Sequence, residues 1–279
     1  MNSQFLQNRE SHVHLPWWAR WRHRLRLLIA RLLALMSLHH SCVGTTDGHA
    51  VRLKRRTRWS AVLIPPGNAY LRFQGALSTA LPRSAWLEWE LAVGCAFERH
   101  VCVLNDQRGL QFDDHPGISL AELLRSGISW QEKRDAIQWA ASALRSLHQT
   151  RINACGLLDW PLSHGDATSR NVIIDHVSRT ATWIDFDTRH HPGLAAATRH
   201  ADDLRALLWS SLCDLDSNAV ADGITATFNG YADATIEGNV KALTMTACPT
   251  VFQLAQAQFS WERFAALQRH LRGEESGRY

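Results

Sequence analysis

Two carboxylates and a carboxamide stand out in the stretch from Ser163 to Asp187. Asp166 is followed five residues later by Asn171, and Asp185 closes a second apolar run. The runs Asn171–Ile174 and Ala181–Ile184 are short, β-branched and aromatic, and the polar segment 175–180 between them predicts a hairpin. A hairpin brings its two ends together, so a loop carrying Asp166 and Asn171 enters where Asp185 leaves. Three oxygen-bearing side chains then share one mouth. Phosphoryl transfer from a nucleotide needs such a group. One Asp takes or orients the proton of an acceptor hydroxyl, while an Asn and a second Asp hold Mg²⁺ against the phosphates. Magnesium takes hard oxygen ligands and keeps several waters, so one or two carboxylates suffice. Taken alone, the stretch also reads as an Asx-type loop entering a hairpin, with Asp185 as a strand-end cap.

The rest of the chain must position these groups. With 279 residues, 46% hydrophobic and 20% charged, it has the size and composition of one large globular domain or two lobes. Charge is uneven. Residues 1–60 hold eleven Lys and Arg against Glu10 and Asp47, a balance of +9 that leaves −5 for the remainder of a +4 chain. Six scattered cysteines without paired spacing exclude a disulfide framework and a zinc site, and fit a reducing compartment. No specific nucleic-acid motif is present.

Residues 17–38, WWARWRHRLRLLIARLLALMSL, form an amphipathic pattern. Trp17, Trp21, Leu25, Leu28, Leu32 and Leu35 share one helical face, with Arg20, Arg24 and Arg31 on one border and Arg22 and Arg26 on the other. Arginines so placed can reach lipid phosphates while tryptophans anchor at the interface. The apolar run is too short to span a bilayer, which takes roughly 20 residues. An anionic membrane surface and a packing role against the chain itself or a second subunit both fit.

Residues 46–115 predict strands over 49–55, 59–63 and 69–74, with Pro65–Asn68 as a turn before the third. A helix over 83–97 follows, then strands over 101–104 and 109–112. Downstream, Ser119/Glu122 and Ser129/Glu132 each make a capping box. The second opens a helix to about His148, with Ile137, Ala140, Ala141, Leu144 and Leu147 as its buried stripe.

The order H-x-D-x-x-x-x-N, hairpin, D-F-x, written here as His164, Asp166, Asn171 and Asp185–Asp187, resembles the catalytic core of the protein kinase-like superfamily. The likeness covers roughly Val51 to Leu212. It implies an α+β, two-lobed protein kinase-like fold: a basic amphipathic N-terminal extension (1–45), a small lobe (46–115) and a large lobe (116–279). It implies Asp166 and His164 as catalytic-loop residues, Asn171 and Asp185 as metal ligands, and ATP and Mg²⁺ as cofactors. In the family a strand lysine pairs with a helix glutamate. The matching positions here are Arg72 and either Glu88 or Glu90, since Lys54 comes too early in the chain. Arginine for lysine at a phosphate site is not a conservative exchange. Phe112, Asp113 and Asp114 match the segment whose backbone holds adenine. Asp203 or Asp202 matches an aspartate that buttresses the catalytic loop, a plain helix N-terminal carboxylate being the other reading.

Ile184–Asp187 is similar to the I-D-F-D of bacterial lipopolysaccharide (Kdo and heptose) kinases, and Asp187 would add a metal-side carboxylate or face solvent. Thr168 is similar to the small atypical kinase of the KEOPS complex. The resemblance implies phosphorylation of a hydroxyl, first on a lipopolysaccharide-type sugar, alternatively on protein. It places the chain in the cytoplasm, peripherally on the inner face of the membrane. A pseudokinase acting as a nucleotide-binding module at the membrane is the competing expectation, suggested by Arg72 and the missing glycine-rich loop.

Overall fold

The computed structural model describes residues 39–46, 49–57, 59–73, 75–104, 109–246 and 261–273; the segment 17–38 lies outside them. The fold is mixed α and β, with several small antiparallel sheets. Strands β1 (His39–Thr46) and β2 (His49–Arg56) form a hairpin. β1 therefore begins inside the region expected to be an extension ending at residue 45.

Helix α1 (Ser60–Phe73) replaces the two strands and the turn expected over 59–74. Pro65 and Pro66 lie inside this helix rather than in a turn. Their missing N–H groups leave carbonyls of Ala61 and Val62 without helical partners, but both residues are exposed, where water can take those bonds. Ser60, Ile64 and Leu71 are buried at helical spacing. Asn68, expected in the turn, ties α1 to strand β3 (Ser78–Ala80): its Nδ2 donates to the Ala80 carbonyl and its Oδ1 accepts from the Ala80 N–H, each at 2.9 Å.

Helix α2 (Arg83–Ala96) follows, with Trp86, Trp89, Glu90, Val93 and Gly94 buried as one stripe at spacings of three and four. Strands β4 (Val101–Val103) and β5 (Gly109–Asp113) complete a sheet of order β1-β2-β5-β4. Both capping boxes are formed, the first opening helix α3 (Leu120–Arg125) after strand β6 (Ile118–Ser119), the second opening helix α4 (Trp130–Gln149). The expected stripe of α4 is buried in full.

The segment between α4 and His164 contains a hairpin of β7 (Arg151–Ala154) and β8 (Leu157–Pro161). The predicted hairpin after Asn171 is present as β9 (Val172–Asp175) and β10 (Thr180–Trp183), with Asp175 paired to Thr180. Trp183 fixes it on α4 by donating its indole N–H to the Ala140 carbonyl. Strand β11 (Thr188–His190) then returns to pair with β3.

Helices α5 (Ala196–Asp214), α6 (Val220–Tyr231), α7 (Ala234–Thr246) and α8 (Trp261–Arg272) complete the described residues. Gly230 lets α6 approach α4, since a Cβ there would lie 2.6 Å from the Gln138 carbonyl oxygen. One apolar cluster runs from Leu81 on the approach to α2 through α4 and the β9–β10 hairpin to Leu267. Among the described residues no helix is long and apolar enough to cross a membrane.

The Asn68 carboxamide gives a direct measure of α1. Asn68→Ala should lower the unfolding free energy by about 1–3 kcal/mol in a denaturant titration, because the Ala80 backbone groups lose both partners. A solvated turn at Pro65–Asn68 would leave stability unchanged.

Candidate functional site

Lys54 projects from β2 on the same side of the strand as Arg52 and Arg56 and is buried. Its ammonium donates to Asp185, to Asp187 at 2.6 Å and to Glu90 at 3.4 Å. Burial alone would lower the Lys54 pKa, but Asp185, Asp187 and Glu90 outweigh it and hold the ammonium well above its usual range. Glu90 Oε1 also accepts from the Trp86 indole at 3.2 Å and from the Phe186 N–H at 3.1 Å. Burial pushes its carboxyl up to about 7 despite the neighbouring Lys54 charge. The sheet, helix α2 and the end of the β9–β10 hairpin thus meet at one cation.

Asp166 and Asn171 stand at the same mouth, on the chain that enters the hairpin, where the Ile184 N–H donates to the Asn171 carbonyl at 2.9 Å. Asn171 Nδ2 donates to the Asp166 carbonyl at 2.8 Å and to its Oδ2 at 3.0 Å. Burial and the charge of Asp185 push the Asp166 carboxyl up to about 7. Asp185 has φ +68°, a left-handed conformation that Asp tolerates better than most residues.

His164 is fully buried. Its Nε2 donates to the Ile184 carbonyl at 2.8 Å and its Nδ1 accepts from the Asp166 N–H at 3.3 Å, the pattern of a neutral ring. Burial holds its pKa below the usual value. The ring therefore fastens the loop to the hairpin and is a positioning group.

Asp203 holds the same loop from beneath. It accepts from the His164 N–H at 2.7 Å, the Gly165 N–H at 2.8 Å and His148 Nε2 at 3.0 Å. It lies in the middle of α5, so it is not a helix N-terminal carboxylate. Burial would raise its pKa, but His190 and the hydrogen bond from His148 win, and the carboxyl is held well below the usual range. Gly165 has φ +82°, and a Cβ there would come 2.8 Å from Thr188 Oγ1, so this position requires glycine. Asp202 instead pairs with Arg205 and His190.

A cleft of about 240 Å³ lies between the four-stranded sheet and the hairpin. Val93, Val101, Phe112, Ile173 and Ile184 give it apolar walls, and Lys54, Glu90, Asn171 and Asp185 lie at its charged end. Asp166 does not line it. Phe112, Asp113 and Asp114 do, but the Asp114 N–H is taken by the Ala50 carbonyl at 3.1 Å and the Asp114 carboxylate by Arg52 at 3.1 Å. The sheet ladder runs one residue further than the sequence suggests, so the Asp114 N–H is not open to a base.

Arg72 requires a correction. It is exposed in the last turn of α1 and does not line the cleft; the strand expected to carry it is helical. Glu88 is likewise outside, its carboxylate accepting from the Cys155 N–H at the tip of the β7–β8 hairpin. Lys54, set aside on chain position, is the strand cation that pairs with Glu90 of α2. The signal for Glu90 was in the sequence, since it falls on the Trp86–Trp89–Val93 stripe and Glu88 does not.

Glu90, Asp185 and Asp187 bring ligand oxygens within 4.8 Å of one another, hard donors of the kind a magnesium ion takes, and the Lys54 ammonium lies among them. No family model matches the chain, and no curated protein matches it in sequence.

His190 is buried against Ser163, Asp202 and Asp203. Burial would lower its pKa, but Asp203 and Asp202 overcome this and raise it. A raised pKa contributes stability that is fully present below the unfolded value of about 6.5 and is lost as pH rises through the folded one. The stability advantage of wild type over His190→Gln in urea titrations should therefore shrink from pH 6 to pH 9. An advantage independent of pH would mean that His190 is neutral in the folded chain.

Proposed function

We propose that the chain is an ATP-dependent phosphotransferase of the protein kinase-like superfamily that phosphorylates a hydroxyl. In this reading the β1-β2-β5-β4 sheet with α2 is the small lobe, and the α3–α8 part is the large lobe. One observation carries it: the Lys54 ammonium lies between Glu90 of α2 and Asp185 of the hairpin, with Asn171 and Asp166 at the same mouth.

The side chains divide the work. The apolar walls of the cleft take the planar base, and Lys54, held by Glu90, offers its charge to phosphate oxygens. Asn171 and Asp185 would hold Mg²⁺, which supplies charge neutralisation along the phosphates. Asp166 stands outside the cleft beside Asn171, on the side from which an acceptor hydroxyl would approach. With a pKa near 7 it can take a proton at neutral pH. His164 and Asp203 keep that loop in place.

The competing reading, a nucleotide-binding module without turnover, leaned on Arg72 and on the missing glycine-rich loop; the Lys54–Glu90 pair speaks against the first ground and leaves the second. A lipopolysaccharide-type sugar is the preferred acceptor. Only residues 188–195 separate the Asp-Phe-Asp run from α5, part of them in β11, which leaves little chain to bind a peptide. Thr168, the point of likeness to the KEOPS kinase, is buried and donates its N–H to the Asp166 carbonyl, so it does not face an acceptor. A cytoplasmic, peripheral place on the membrane, held by 17–38, goes with this reading.

Turnover of Mg-ATP with lipopolysaccharide-type sugars tests the proposal. Asp166→Asn should lower turnover by about 10²–10⁴-fold with ATP affinity nearly unchanged, the usual size of a general-base contribution. Lys54→Met should also abolish turnover, whereas Arg72→Ala should not change it. An active wild type matched by Asp166→Asn would sink the assignment.

Calorimetry tests the metal separately. Asp185→Ala should remove the Mg²⁺ dependence of ATP binding, and an unaltered dependence would take Asp185 out of the metal site.

A further inference from the structure

Helix α1 is apolar on the side it turns away from the protein. Ser60, Ile64 and Leu71 face inward, and Asn68 anchors the same side to β3. Around the opposite side, Val62, Pro66, Ala69 and Phe73, with Trp59 just before the helix, recur at spacings of three and four and are all exposed. Phe73 is 80% exposed, Trp59 67% and Val62 63%. A surface helix of a soluble domain normally carries its charged residues on this face. Here the helix holds no Asp or Glu, and its one charged residue, Arg72, stands at the border of the face. Contiguous exposed apolar surface of this kind marks an interaction site.

We infer that this face of α1 docks on an anionic phospholipid surface, a site separate from the cleft and independent of the phosphotransferase reading. Three observations choose lipid over protein. The face has aromatic rings at both ends, Trp59 and Phe73, with small or aliphatic residues between them, as in helices lying in the plane of a bilayer. Its charged surroundings are basic, Arg55 and Arg72 both being exposed, which suits lipid phosphate. The strand register also sets His39 opposite Arg56, so the arginine-bordered segment 17–38 joins the described chain four residues from the start of α1. An acid-free helix face flanked by exposed arginines is complementary to an anionic bilayer.

The test is co-sedimentation of the full chain with vesicles of phosphatidylcholine alone and of phosphatidylcholine with phosphatidylglycerol. Wild type should bind the anionic vesicles, more weakly at high salt. Val62→Asp with Phe73→Asp should reduce that partitioning tenfold or more, and its thermal unfolding without lipid should match wild type because both positions are exposed. Several results would overturn the inference. These are a wild type that ignores vesicles, a double variant that binds as wild type does, or a fall in unfolding temperature without lipid, which would mean the chain's own residues cover the face. A wild-type dimer that the substitutions convert to monomer would assign the face to a second copy instead.

Discussion

The structure depends on a buried ammonium. Lys54 reaches from a strand to Glu90 of α2 and to Asp185 and Asp187 just after the β9–β10 hairpin. An ion taken out of water is stable only where opposite charge and hydrogen bonds replace its hydration. That requirement fixes three elements relative to one another: β2, helix α2 and the end of the β9–β10 hairpin. Removing one partner of a buried pair costs roughly 3–5 kcal/mol, because the other is left uncompensated. The same geometry brings Lys54, Glu90 and Asp185 together in the lining of the cleft, with Asp187 behind them.

A second buried charge, Asp203, organises the other half of the site in the opposite way. Here a carboxylate is surrounded by donors, the backbone N–H groups of His164 and Gly165 and the His148 ring, with the His190 ring 3.9 Å away. His200 stacks on His148 with ring centroids 4.0 Å apart, and burial and that neighbour push its pKa down to about 3. The loop carrying Asp166 is therefore held from below by α5 and from the side by His164 on the Ile184 carbonyl.

Helix α1 and strand β3 interrupt the path from Lys54 to Glu90. Glu90 lies 36 residues beyond Lys54, and most of the intervening chain is α1 and its return through β3. Because α1 is fastened by Asn68 and by β3 pairing with β11, it stays tied to the segment just after Asp187. Helix α1 is an integral part of the fold, and its outward apolar face is a property of the assembled helix.

Local pattern determined much of this protein. The β9–β10 hairpin, both capping boxes, the buried stripe of α4 and the existence of α2 were all legible, because each rests on contacts within a few turns or across a tight connection. The gathering of Asp166, Asn171 and Asp185 was legible for the same reason, since a hairpin joins its ends. Glu90 over Glu88 was readable from helical spacing. The tertiary structure alone decided which cation meets Glu90. Lys54 and Glu90 are far apart in sequence, and an assumed short connection pointed to Arg72 instead. It also decided that residues 60–73 are helical: Pro-Pro-Gly-Asn favours a turn locally, but burying Ile64 and Leu71 on one face and satisfying Ala80 through Asn68 outweighs that preference. Burial of charge and long-range hydrogen bonding act between distant residues, and a linear pattern does not record them.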